Sequence, residues 1–406
     1  AGHNADDATS GRYGNRTYNY FTPQFSNFAG GWVARGIWIG GMDFQRCRPT
    51  EYAYAVFDHV NDARMWKTFK TVYGINTIAN DSVSTVHNVQ LGDPGIVMIL
   101  NKQDDHTYDG YTFGAYSQNP TWTDDEGRLP EWREGQRQTT TTGELTSTPG
   151  QWAPNSLVLY QGGQYVAPEF KSKSICNFFA GINKTDDGSR TAEKGDAHRD
   201  VTMARLAETY LVRAECYVRQ GNYSAAMNDI NVVRARAQWK DGENRSFYTD
   251  GSQAFENNAL NTGSAADNYV NSNLNMNTYY LSNPDIEVTT EASNLQLTSF
   301  PSNLPEEDEA ILAQIGASSD FDRAINFILN ERTRELLGEW SRWEDLSRTE
   351  TLITRAKAFN PEAAPGITAN KHELRPIPQS FIDGLLNDDG SNLSDEQKAA
   401  WQNPGY

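Results

Sequence analysis

The sequence predicts a mainly α fold built on tetratricopeptide-like helical hairpins, with long loop-rich insertions and little β structure. Three observations carry that reading. Residues 201–237, VTMARLAETYLVRAECYVRQGNYSAAMNDINVVRARA, read as two helices folded back on each other. Residues 320–346 carry a second long helical pattern. The stretches 101–200 and 238–305 are dense in Asp, Gly, Asn, Ser, Thr and Pro and read as connecting chain.

In the hairpin, Met203, Leu206, Ala207, Tyr210, Leu211, Ala214 and Val218 recur at the i, i+3, i+4 spacing of one buried face. On that helix Cys216 reads as a small buried hydrophobe. Gly221 can take the left-handed conformation that closes a helix, and Ser224 can cap the next one. Ala225, Ala226, Ile230 and Val233 line the inner side of the second helix. Alanines at 207, 214, 225 and 226 let the two backbones approach closely, the logic of a tetratricopeptide pair. The same spacing also suits any antiparallel helical hairpin.

The other elements follow in chain order. Residues 1–48 are rich in Gly, Asn and aromatics, which suits loops and short extended segments. Thr50 can start a helix that carries Tyr52, Val56, Phe57 and Val60, and Asn61-Asp62-Ala63-Arg64 leads on to Trp66, Phe69 and Tyr73. Residues 82–100 read as extended or irregular, ending in the apolar run IVMIL. The acids of EEDEA at 306–310 suit a helix N-terminus. Asp320 is the expected cap of the long helix that follows. Its buried face is marked by Phe321, Ala324, Ile325, Ile328, Leu329, Leu336, Leu337, Trp340 and Trp343. Glu331 with Arg334, Glu339 with Arg342, and Arg342 with Asp345 form i, i+3 pairs on its other side. Two Trp in so charged a segment point to packing between other elements. The closing Gln402-Asn403-Pro404-Gly405-Tyr406 enforces a turn.

The 406 residues carry a formal net charge of −18, with 37% hydrophobic and 11% aromatic content, ten Trp and nineteen Tyr among them. That length supplies ample core. The acidity excludes a nucleic-acid partner, which needs clustered Lys and Arg, and disfavours an anionic membrane surface. Three cysteines, Cys47, Cys176 and Cys216, make no disulfide framework. No 18-residue apolar run is present. The opening AGHNADDATSGRYGNR lacks the features of a signal peptide, so the chain is expected to be processed or truncated.

Five stretches of the chain resemble one family. Arg205, Ala207-Glu208, Tyr210-Leu211, Ala214-Glu215, Gly221, Ala226, Ile230-Asn231, Val233-Arg234 and Arg236-Ala237 are similar to the RLAE-YL--AE signature of the SusD/RagB outer-membrane nutrient-binding lipoproteins. The family's late helix, ER--EL--E--R--DL-R, is matched by Glu331-Arg332, Glu335-Leu336, Glu339, Arg342, Asp345-Leu346 and Arg348. Pro376-Ile377-Pro378 matches its PIP element, and Gln402 to Tyr406 its closing QNPGY. Pro49-Thr50-Glu51 through Asn61-Asp62-Ala63-Arg64 resembles an earlier segment ending in D-x-R.

The resemblance implies a single SusD/RagB-like domain over 1–406. Residues 201–237 and 320–346 would be helical scaffold, and 101–200 and 238–305 ligand-side segments. The family's lipobox cysteine and early repeat helices have no counterpart here. A missing N-terminal segment is therefore expected to pack against 201–237, since repeat pairs need neighbours. The implied function is capture of an oligosaccharide at the cell outer membrane and delivery to a SusC-like TonB-dependent transporter. Lipid anchoring would come from the region not in this sequence. Peptide capture, as in the RagB branch, and a glycoside hydrolase are the alternatives.

Candidate ligand residues come from the loops. Sugar rings stack on Trp and Tyr, and their hydroxyls need polar side chains at the rim. Tyr116, Trp122, Asp124 and Asp125 supply both kinds in one run, and Trp132, Trp152, Tyr160 and Tyr165 extend it. Trp32 and Trp38 are further candidates. Aromatic loop cores would account for the same residues. Asp124, Asp125, Glu126, Glu131 and Glu134 could supply a hydrolase pair, but acidic loops on so acidic a chain read more simply as solvated. A calcium loop over 385–396 fails at Leu385, which offers no oxygen, and one over 183–194 fails at its last position. HExxH, G-x-S-x-G and P-loop patterns are absent. No cofactor, metal or catalytic residue is expected.

Overall fold

The computed structural model describes residues 17–23, 46–70, 179–182, 184–185, 200–243 and 291–406, and short strands between 72 and 166 by their backbone. The described chain is mainly α. It falls into two compact units, one formed by residues 1–205 and 231–296 and the other by residues 206–230 and 297–406.

The first unit opens with α1 (Thr17–Tyr20), then α2 (Glu51–Ala55) and α3 (Ala63–Thr68). Tyr52, Val56 and Phe57 are buried, as their spacing predicts, and Ala53 and Tyr54 are buried with them. The helix stops short of Val60, which is exposed, because Asp58 Oδ1 accepts the backbone N–H of Val60 and Asn61, both at 2.9 Å. Asp62 then caps α3 by accepting from Arg64 N–H at 2.9 Å.

Among the described residues, nine short strands follow: β1 (Phe69–Lys70), β2 (Val72–Gly74), β3 (Pro94–Ile99), β4 (Thr107–Tyr108), β5 (Tyr111–Phe113), β6 (Trp122–Thr123), β7 (Ser156–Gln161), β8 (Gln164–Val166) and β9 (Gly181–Ile182). They form sheets of order β2-β3-β7-β8, β4-β5-β6 and β1-β9, antiparallel except for β3 with β7. Strands thus occur inside the 101–200 stretch, where composition predicts loop. The runs YTF, SLVLYQ and QYV are β-branched and aromatic, which suits a pleated surface, but the polar residues around them dominate the average.

The hairpin is α4 (Leu206–Arg219) and α5 (Tyr223–Ala237). Leu211, Ala214 and Val218 are buried on α4, and Ala226, Ile230 and Val233 on α5. Gly221, at φ +74°, makes the turn. Its N–H donates to Val218 O at 2.9 Å, and that of Asn222 to Tyr217 O at 2.8 Å, the paired bonds of a Schellman closure. Three expectations are corrected. Met203 and Leu206 are exposed, because the helix begins only at Leu206. The cap is Asn222, whose Oδ1 accepts from Ala225 N–H at 3.1 Å, and not Ser224. Cys216 is exposed, because it lies on the face opposite Leu211 and Ala214.

The second unit adds α6 (Glu306–Ile315), which starts at the acidic run as predicted, and α7 (Asp320–Leu336). Ser319, and not Asp320, caps α7 by accepting from Asp322 N–H at 3.1 Å. Every α7 residue from Ala324 to Leu336 is buried, and α7 packs most extensively against α4. The long helix expected over 320–346 is broken. Gly338 at φ +85° and Trp340 at φ +65° turn the chain before α8 (Arg342–Arg348). That turn carries Trp340 and Trp343 to the surface, and Phe321 is exposed in the first turn of α7.

The chain continues through α9 (Leu352–Phe359), α10 (Ala369–His372), α11 (Gln379–Asp383) and α12 (Asp395–Trp401). The closing residues then strap back onto the PIP element. Gln402 Oε1 accepts from Ile377 N–H at 2.7 Å, and its Nε2 donates to Ile377 O at 2.9 Å. The prolines on either side of Ile377 have no N–H, so one glutamine amide serves where a strand would otherwise pair. Asn403 Nδ2 donates to Arg375 O at 2.6 Å. Gly405 stands at φ +89°, and a Cβ there would lie 2.8 Å from Asn370 O and 2.9 Å from Lys371 Cβ. Gly405→Ala is therefore expected to weaken strap docking by ~1–3 kcal/mol. Faster amide hydrogen exchange at Ile377 checks this; unchanged exchange refutes it.

Candidate functional site

The residues that the sequence proposes for ligand contact divide by where they fall. Trp122 lies on β6, with Phe113 of β5 as its Cα partner, and Tyr160 on β7 opposite Tyr165 of β8. Tyr116, Asp124, Asp125, Trp132, Trp152, Trp32 and Trp38 lie outside the described residues.

The polar architecture of the described residues is structural in character. In the first unit, Arg64 forks onto the cap Asp62, Nε to Oδ1 at 2.9 Å and Nη2 to Oδ2 at 2.7 Å. Trp239 is buried. Its indole N–H donates to Val60 O at 3.2 Å, and Lys67 lies 5.5 Å from its ring centroid. Ser293 Oγ bridges Asn61 O and Trp239 N, each at 2.8 Å.

In the second unit the motif residues meet one another. Arg332 of α7 donates to Glu208 of α4 at 2.9 Å and to Asp345 of α8 at 2.6 Å. Arg348 donates to Asp345 at 2.9 Å and to both oxygens of Glu215 at 2.6 Å. Arg219 closes the chain on Glu215 at 2.9 Å. The charges alternate along the whole path, so each ion is flanked by opposite charge. Burial alone would push the Glu215 carboxyl up; hydrogen bonds from Arg348 and Arg219 outweigh it and hold the carboxyl below the usual range. A second cluster is deeper. Arg334 donates to Asp308 at 2.6 Å and to Glu331 at 2.8 Å, with all three side chains fully buried. Burial opposes the Arg334 charge, but Asp308 and Glu331 keep it firmly protonated. Asn330 bonds Asp308 at 2.8 Å and accepts from Arg355 at 2.6 Å. The Glu331–Arg334 pair is interior, in line with a charged segment packed between other elements.

Glu208 and Glu215 come from the RLAE-YL--AE stretch, and Arg332, Asp345 and Arg348 from the ER--EL--E--R--DL-R stretch. Two motifs more than a hundred residues apart are the two halves of one ion-pair chain. The model of the SusD family matches residues 16–406. The chain belongs to the SusD family. A comparison with curated proteins finds no match, and neither does one with solved structures.

SusD-family proteins are nutrient-binding proteins associated with the outer membrane, and binders rather than enzymes. In this chain the ion-paired motif residues tie α4, α7 and α8 together as scaffold. Among the described residues, no group of three His, Cys, Asp or Glu side chains could hold a metal ion. The 385–396 stretch is a turn. Asn387 N–H donates to Ser391 O at 2.8 Å, and Asp389 accepts from Ser391 N–H at 2.9 Å. No helix among the described residues is long and apolar enough to cross a membrane.

The unexpected feature is a set of exposed aromatics in the second unit. Trp340, Trp343, Phe381, Trp401 and Tyr406 are all at the surface. Sequence reasoning assigned Trp340 and Trp343 to the core by spacing. The signal that argued otherwise was Gly338, a helix-ending residue between Leu337 and the two tryptophans.

Proposed function

We propose that this SusD-family protein captures a nutrient oligosaccharide at the cell surface and delivers it, unbroken, to a SusC-like TonB-dependent outer-membrane transporter. The observation that carries the reading is family membership over residues 16–406, with Glu208, Glu215, Arg332, Asp345 and Arg348 of its motifs paired with one another. Ligand contact then belongs to side chains outside those motifs. The aromatic and acidic set of Trp122, Trp132, Trp152, Tyr116, Tyr160, Asp124 and Asp125 has the chemistry for it: flat faces for sugar rings and acceptors for hydroxyls. The chain acts as one SusD-like domain held at the outer membrane by a lipid anchor.

Native gel electrophoresis through immobilised polysaccharides tests the glycan reading. A matching polysaccharide retards the protein; a peptide binder migrates unchanged, and released reducing sugar would expose a hydrolase. Trp122→Ala and Trp152→Ala are each expected to weaken binding by ~1–3 kcal/mol. Unchanged affinity with a lower melting temperature would place those rings in the core instead.

A further inference from the structure

We infer that the closing strap, Gln402 to Tyr406, is a latch. It pins residues 373–377 onto the Trp343–Ser347 face of α8, and it lifts as one unit to uncover that face while α8 stays in place. The latch is independent of which ligand the protein takes.

Residues 373–377 join α10 to α11 and have two sets of partners. One set is on α8, where Trp343 and Ser347 stand four residues apart on one helix face. Ser347 Oγ donates to Glu373 O at 2.7 Å, and the Arg375 guanidinium rests 5.1 Å from the Trp343 ring centroid. The other set is the strap. Ile377 N–H and O both bond the Gln402 amide, Arg375 O accepts from Asn403 Nδ2, and Leu374 O accepts from Tyr406 Oη at 3.4 Å. Four hydrogen bonds to the segment thus come from the strap and one from α8, so the strap is what holds the segment down. Pro376 and Pro378 have no N–H, and the N–H of Ile377 between them is given to Gln402.

The strap is built to move as a whole. Tyr406 N–H donates to Asn403 O at 3.4 Å across the Pro404-Gly405 turn, and Asn403 N–H donates to Gln402 Oε1 at 3.0 Å. The three anchoring residues are therefore tied to one another. Their hold is polar and open to water: Pro404, Gly405 and Tyr406 are exposed, as are Glu373, Leu374, Arg375 and Pro376 opposite. Segments with few buried apolar contacts and exposed hydrogen bonds open at a free energy well below that of the whole fold.

The helix beneath does not follow. Asp345 and Leu346 of α8 are buried. Asp345 holds Arg332 of α7 at 2.6 Å, and Arg348 holds Glu215 of α4 at 2.6 Å. Beyond the segment, α11 and α12 stay joined through Lys398 and Asp383 at 3.1 Å. Opening therefore stops at α8 and takes the Arg375 guanidinium off the Trp343 ring.

Residue-resolved amide hydrogen exchange and hydroxyl-radical footprinting of the full chain test the latch. Asn403→Ala should speed exchange at Ile377 about fivefold, although Asn403 bonds Arg375 and not Ile377. In Gln402→Ala/Asn403→Ala three of the four strap bonds are gone. Oxidation of Trp343, 37% exposed in the closed form, should then rise about twofold. The α8 amides of Asp345 and Thr349, bonded to Ser341 O and Asp345 O, should keep their wild-type exchange in both variants. Unchanged Ile377 exchange in Asn403→Ala would mean that the bonds break singly and no latch exists. Unchanged Trp343 oxidation in the double variant would mean that 373–377 stays on α8 unaided. Acceleration at Asp345 and Thr349 equal to that at Ile377 would mean that α8 opens too. Each of these three results overturns the latch.

Discussion

Arg334→Met is expected to destabilise the protein by ~3–5 kcal/mol, among the largest single losses available to it. Arg334 is fully buried between Asp308 and Glu331, at 2.6 and 2.8 Å. A methionine fills much of its volume but leaves two carboxylates facing each other in the interior without a cation. The loss comes from that stranded charge, more than from the Coulomb energy of the intact cluster. Asp308→Asn in the same background should recover part of it, since a neutral amide removes one of the stranded charges and can still accept from Asn330. Chemical denaturation of the two single variants and the double variant checks this. A loss under 1 kcal/mol for Arg334→Met, or additive losses in the double variant, would contradict the account.

Glu215→Gln is expected to cost about 2 kcal/mol at neutral pH, less than a fully buried pair because Arg348 remains 40% exposed and partly solvated. The pH dependence follows from the lowered Glu215 carboxyl. In the unfolded chain a glutamate titrates near about 4.3. Its folded form holds its proton off to lower pH. The stabilisation is therefore complete above the unfolded value and is lost as pH falls through the folded one. The gap between wild type and Glu215→Gln should stay constant from pH 7 to about 5 and close below about pH 4. Thermal melts over that range decide it; a gap that widens in acid would mean that the carboxylate is not the stabilised form.

Much of the second unit is readable in the chain because its constraints are local. The helical spacing of Leu211, Ala214 and Val218, the acids that open α6, and Gly221 at a helix end each act within a few residues. Caps fall one or two positions away where neighbours compete: Ser319 stands beside Asp320, and Asn222 two residues before Ser224. What escapes is whatever three-dimensional placement decides. The i, i+3 spacing of Glu331 and Arg334 shows a pair but not that Asp308 of α6 is its third member. Trp340 and Trp343 look like core until the turn at Gly338 redirects them. The strands between 107 and 166 are too short for an alternation pattern to show. The ligand residues were proposed from side-chain chemistry alone, which fixes what a residue can touch but not where it stands.

The interior charge on α7 has a mechanical consequence. A helix with a purely apolar waist can slide along its neighbours at little cost, because one leucine serves much like the next. Moving α7 by one turn, about 5.4 Å, would instead pull Arg334 away from Asp308 on α6 and Asn330 away from Arg355 on α9. Those contacts act as a vernier: they give α7 one axial setting, and every group carried at its far end inherits that setting.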